Sequence, residues 1–548
     1  MKKRKKVSTS ISCSLVLSFI LIVMTTGVSA QHMHDDHSLP DGASIGEVQF
    51  NVSCDDAVQE DFDYALGMMH HMMYVSSRDT FEKIVEVDPA CAMGYWGIAT
   101  TLFQPLWGTR PSEEELQYGW QNIRKALEFD VPEREMKLIQ STKAFFKDPE
   151  SDDFRARIDR WIDGVEAAYS AYPNDHDVAA LFSLTRLTAA QFAENPAPLL
   201  DEAEALLREI FQQNPLHPGA IHYTIHATDA DGRAENALDM VEAYGNIAPE
   251  VPHSLHMPSH IYVRLGDWPE VIDWNIHSAN AALMFPVNGA ESHHYIHAID
   301  YLVYAYLQRG EDDLAESVWQ EVLNKERHQA SFVSAFHFAA IPARLAVEQK
   351  DWELAATLEP RTPEYLPWDA SPWAEGLTWL ARGLGSVHTG DMEGAEKAEQ
   401  RLTELRNTAE ERGDSGMAVY IETDRLVLSG WIALKEGEQE VAVELARSAA
   451  NLERSIQKHP VTPGALQPPN EALGDILLQL NRPAEALLAY EASDSIWPGR
   501  LNTLMGAALA ARLAGEDQKA REYVAKLLKS GNDSIDVELL LTAHEQDE

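Results

Sequence analysis

The chain has 548 residues, 45% of them apolar, with 87 acidic against 44 basic side chains and a formal charge of −43. That length can bury a large core, either as several domains or as one long array. So acidic a chain repels nucleic acid and anionic membrane surfaces, which removes both from the expected partners.

Residues 1–30 read as an export leader. Lys2, Lys3, Arg4, Lys5 and Lys6 form a positive start, 15–23 is an apolar stretch, and Val28, Ser29 and Ala30 supply small residues for a cleavage site. The apolar stretch is too short for a membrane span, so no span is expected after cleavage. The mature product should begin at Gln31 and be exported, either periplasmic or secreted. Cleavage removes five basic residues and no acidic ones, leaving the mature chain more acidic still. Residues 31–47 are a His-rich polar linker, expected to be flexible.

Two cysteines remain, Cys54 and Cys91. An even count in an exported chain invites one disulfide, which would clamp the first predicted hairpin. Two free buried thiols are the alternative.

Residues 48–215 read as an N-terminal set of irregular helical hairpins. Residues 58–104 give one hairpin and the first helix of another, with Asp88 and Pro89 between them, and 113–215 gives further helices ending at Asn214 and Pro215. In the first hairpin, Met68, Met69, His70, His71, Met72 and Met73 invite a copper reading. Methionines filling core gaps are the plainer account.

From 216 onward the chain repeats. A turn residue is followed five places later by a small one at Gly232/Ala237, Gly266/Val271, Gly310/Ala315, Lys350/Ala355, Gly390/Ala395, Gly437/Ala442, Asn481/Ala486 and Gly515/Ala520. The turn residue reverses the chain, and the small residue lets the returning helix press against the first. The steps between turns are 34, 44, 40, 40, 47, 44 and 34 residues, and a period near 34 marks tetratricopeptide (TPR) repeats. The expected fold is all-α: a right-handed α-solenoid of TPR-like helical hairpins with a concave groove. Residues 216–360 form the central repeats and 361–548 the C-terminal ones. The stretches 52–74, 88–99, 217–229, 256–268, 297–308 and 472–493 resemble those of exported bacterial TPR proteins. The resemblance implies the fold and says little about function.

The histidines keep register with the turns. His222 and His226 lie ten and six residues before Gly232, and His256 and His260 lie ten and six before Gly266. His253, His297 and His337 each lie thirteen residues before the next turn residue. Thirteen, ten and six fall on one helical stripe. In the proteins this chain resembles, that stripe lines the ligand-binding groove. Asp300 and Tyr304 hold the ten and six places of the next repeat and Arg344 the six place after it, while His70 is expected to face the same groove.

Three readings stay open. His222, His226, His256 and His260, joined by others of the stripe, bind a transition metal such as zinc or copper. Alternatively the groove residues His70, His253, His297, Asp300, Tyr304, His337 and Arg344 bind a small organic ligand or a peptide or protein partner. In the third reading the histidines are structural, satisfying carbonyls freed by Pro258 and Pro342 in a pure protein–protein scaffold. No catalytic motif is present: there is no HExxH, GxSxG or phosphate-binding glycine loop. An enzyme remains only as a metal-dependent use of the histidine cluster.

Overall fold

The computed structural model describes residues 44–107, 110–148, 153–193 and 195–530. The leader 1–30, most of the linker 31–47 and the last residues of the 361–548 segment lie outside them.

The fold is an all-α solenoid of TPR-like hairpins, and no β-strand occurs among the described residues. The repeat turns explain why. Gly232, Gly266, Gly310, Lys350, Gly390, Gly437, Asn481 and Gly515 all adopt positive φ, from 56° at Lys350 to 87° at Gly390. A left-handed residue stops a helix and sends the chain back, which glycine tolerates best. At Gly266 glycine is also required by space, because a Cβ there would sit 2.9 Å from the Pro498 carbonyl oxygen. The returning helices press in through Ala237, Val271, Ala315, Ala355, Ala395, Ala442 and Ala486, all at 0% exposure.

The hairpins that matter for the site are Pro218–Thr228 with Leu238–Tyr244, Pro258–Leu265 with Trp268–Ala282, and His293–Gln308 with Asp312–Leu323. Phe332–Glu348 opens the next repeat. Before Pro258 runs the short helix Pro252–His256, and Met257 between the two keeps helical angles, φ −54° and ψ −40°. The helix is thus interrupted at Pro258 without leaving its course, and His253, His256 and His260 stay on one stripe.

The N-terminal half is also built of paired helices, beginning with Gln59–His70 and Tyr74–Val87. It folds back on the centre, where Met68 and Met73 pack with Ala248, Val251 and Phe285. Cys54 and Cys91 are joined by a disulfide, with Cα atoms 4.7 Å apart.

Candidate metal centre

Register along the solenoid carries the histidines inward. Helices one repeat apart lie side by side, so residues at equivalent places become neighbours in space. His222 and His226 come from Pro218–Thr228, His253 and His256 from Pro252–His256, His260 from Pro258–Leu265, and His297 from His293–Gln308. Five of the six rings are buried, at 0–2% exposure, and His226 is half-buried.

The rings sort into two triads. In His256, His260 and His297, one ring nitrogen of each lies within 4.8 Å of the other two. The hydrogen-bond network assigns their protons. Asn275 spends its amide on the Val271 carbonyl at 2.7 Å, so its Oδ1 faces His256 Nδ1 at 2.7 Å as an acceptor. His256 therefore donates through Nδ1–H. His260 Nδ1 donates to the Asp229 carboxylate at 2.8 Å. His337 donates through Nδ1 to Asp300 at 3.0 Å, leaving its Nε2 to accept from His297 Nδ1 at 2.9 Å. In all three neutral rings, Nε2 then carries a bare lone pair.

Two of those lone pairs face each other closely, His256 Nε2 to His260 Nε2 at 3.0 Å. No proton stands between them. Burial, then the charge of neighbouring rings, holds His256 and His297 well below the ordinary histidine value. Burial also wins at His260, although Asp229 opposes it. Protonation therefore does not relieve the contact. An arrangement of this kind is a donor set for a cation, with each ligand fixed by a second hydrogen bond.

Beside it, His222, His226 and His253 also bring one nitrogen each within 4.8 Å. His222 Nε2 is 3.2 Å from His226 Nε2. The two sets touch: the His226 and His260 ring centroids are 5.8 Å apart, and those of His253 and His256 are 5.9 Å apart.

The charges around the core are matched. Asp229 meets Arg264 at 2.8 Å and Lys458 at 2.8 Å. Burial alone would raise its carboxyl, yet these cations hold it well below the usual range. Burial pushes the Lys458 ammonium down to about 8. Asp300 is paired with Arg344 at 2.9 Å.

Expectations for the groove residues need correction. His70, His253, His297, Asp300, Tyr304, His337 and Arg344 do not line an open groove, since each is at most 2% exposed. The chain itself covers them. Tyr301 Oη donates to the carbonyls of Pro460 and Thr462 at 3.0 and 3.1 Å, and Arg344 donates to Thr462 and Gly464. From the other side Trp107 lies 5.3 Å from the His253 ring and 5.4 Å from that of His297. His70 stands apart with Asp177 at 3.0 Å and Tyr223 at 3.2 Å, close to His217. Tyr304 belongs to the Arg500 network through a 3.0 Å bond. The four HxxxH histidines fall into two groups, because each pair has its third neighbouring ring in the next repeat. His256 and His260 bond Asn275 and Asp229, so they do not serve the carbonyl freed by Pro258.

Sequence reasoning missed Asn275, Asp229, Lys458 and Trp107. Asp229 had a signal, lying three residues after His226 and so one helical turn on. Lys458 and Trp107 arrive from distant parts of the chain and had none.

No protein-family model and no curated protein sequence matches the chain. Among solved structures it is similar to the human IFIT1 dimer with m7Gppp-AAAA, at 12% identity and a TM-score of 0.37, covering 87% of this chain and 96% of that one. It is also similar to the APC/C hetero-tetramer Cut9-Hcn1, at 12% identity and a TM-score of 0.30, covering 89% and 96%.

Proposed function

We propose that this is an exported metalloprotein in which His256, His260 and His297 hold a transition-metal ion of the copper or zinc type. One observation carries the reading. Three neutral imidazoles each bring one ring nitrogen within 4.8 Å of the other two, and the unprotonated Nε2 atoms of His256 and His260 face each other at 3.0 Å. Facing lone pairs repel, and a cation between them turns the repulsion into ligation. The all-imidazole set favours copper or zinc over calcium or magnesium, which take oxygen ligands. Asn275, Asp229 and the His337–Asp300 relay fix ring orientation and raise ligand basicity. Three protein ligands leave a coordination position open, the pattern of a reactive centre more than of a closed structural one. The Cys54–Cys91 disulfide supports export, since such bonds persist in oxidising compartments. Enclosure of the stripe speaks against a peptide in the same place.

The test is metal content. Full-length protein supplied with copper or zinc and dialysed against a weak chelator should retain the ion. His256→Ala/His260→Ala should lose it with helical circular dichroism unchanged. A wild-type chain that retains neither metal contradicts the proposal.

A further inference from the structure

The second triad obeys the same construction rule as the first. His256 and His260 sit ten and six residues before Gly266, and their third partner His297 sits thirteen before the next turn, Gly310. His222 and His226 sit ten and six before Gly232, and their third partner His253 sits thirteen before the next turn, Gly266. One triad is therefore the other displaced by one repeat. The following repeat ends the series by placing Asp300 and Tyr304 at ten and six. Its thirteenth-place partner His337 then binds Asp300, the arrangement that steadies His297.

Among the described histidines, His253 alone has both ring nitrogens buried without a hydrogen-bond partner, whereas His217, His293, His294, His328 and His388 each leave one unmatched. His70 uses both nitrogens, on Tyr223 and Asp177, and His71 uses both, on Tyr244 and the Ile45 carbonyl. By contrast, neither ring nitrogen of His253 has a hydrogen-bond partner. A buried polar atom left unmatched is costly, and native interiors rarely keep one without a use. His222 Nε2 instead points at His226 Nε2, 3.2 Å away.

We propose that a second ion occupies His222, His226 and His253, so that the histidine core is a two-ion centre. This rests on the first ion assigned above. A cavity of about 10 Å³ supports the pairing. It is lined by His226 and His253 from one triad and His260 and His297 from the other, closed by Trp107 and Pro460. Because Asp229 and Asp300 are already matched by Lys458, Arg264 and Arg344, the two ions gain no free carboxylate.

Full-length protein stripped by chelator and titrated separately with copper and zinc should retain two ions of at least one metal per chain. His222→Ala/His253→Ala should retain one fewer. Should that variant fold poorly, His253→Gln, which keeps bulk and polarity, should show the same drop of one. Retention of a single ion by both proteins, or of two ions by both, overturns the second site and leaves the first standing. Retention of none by the wild type overturns both.

Discussion

At the scale of single residues, the donor character of each ring depends on which of its nitrogens holds the proton. Asn275 is the cleanest lever. It is fully buried, touches no proposed ion and acts only by orienting His256. Asn275→Ala should weaken metal retention about 10–100-fold, as loss of an outer hydrogen bond does elsewhere. Asn275→Asp, which keeps the acceptor, should recover most of it. A competition assay against a chromogenic chelator reads both, and an unchanged affinity in the alanine variant would remove Asn275 from the site. The HxxxH pairs were legible in the sequence because four residues make one helical turn. Their allocation to two triads was not, since the third ring comes from the neighbouring repeat and the proton-fixing partners come from elsewhere in the fold. Asn275 in particular lies on the second helix of its hairpin, off the stripe altogether.

At the scale of elements, turn chemistry explains most of what was readable. The eight turn residues share one backbone conformation, and glycine at six of them announces it. Lys350 takes φ of 56° with an exposed side chain. Lys350→Gly should therefore stabilise the protein by about 0.5–1 kcal/mol. Gly437→Ala should cost about 1 kcal/mol, and since a Cβ there meets nothing within 4 Å, the cost is purely one of backbone conformation. Denaturant unfolding with an unchanged slope would check both, and opposite signs would refute the shared-turn account. In the first hairpin, the Cys54–Cys91 bridge spans 37 residues. Cys54→Ser/Cys91→Ser should lower stability by about 2–4 kcal/mol in the same assay. The methionine run there is core: Met68, Met69, Met72 and Met73 are all buried, and Met72 Sδ accepts from Trp107 Nε1 at 3.2 Å.

At the scale of the whole molecule, the decisive feature is that the chain covers its own histidine stripe. Period and composition gave the solenoid away, but nothing in them showed that 457–464 would return to cover the central repeats. That same segment borders a larger cavity of about 140 Å³, lined by Phe336, Trp373, Tyr420 and Trp497 with Asp424 and Glu453. Burial, then the charge of Glu453, pushes Asp424 up to about 8, and burial pushes Glu453 up to about 7. Both acids keep a proton in the folded chain that they release on unfolding. Their contribution to stability is full below the ordinary carboxylate range and is lost as pH rises toward 8. Melting temperature should therefore fall between pH 5 and about 8, and Asp424→Asn/Glu453→Gln should flatten that fall. An identical pH profile in the variant would contradict these protonation states.

The central claim is that three imidazole nitrogens meet at an ion, and anomalous X-ray scattering from crystals of metal-supplemented protein tests it most directly. A peak is expected at the metal absorption edge about 2.0–2.1 Å from Nε2 of His256, His260 and His297. Crystals grown with copper or zinc that show no such peak, with His256 Nε2 and His260 Nε2 still in contact, would contradict it.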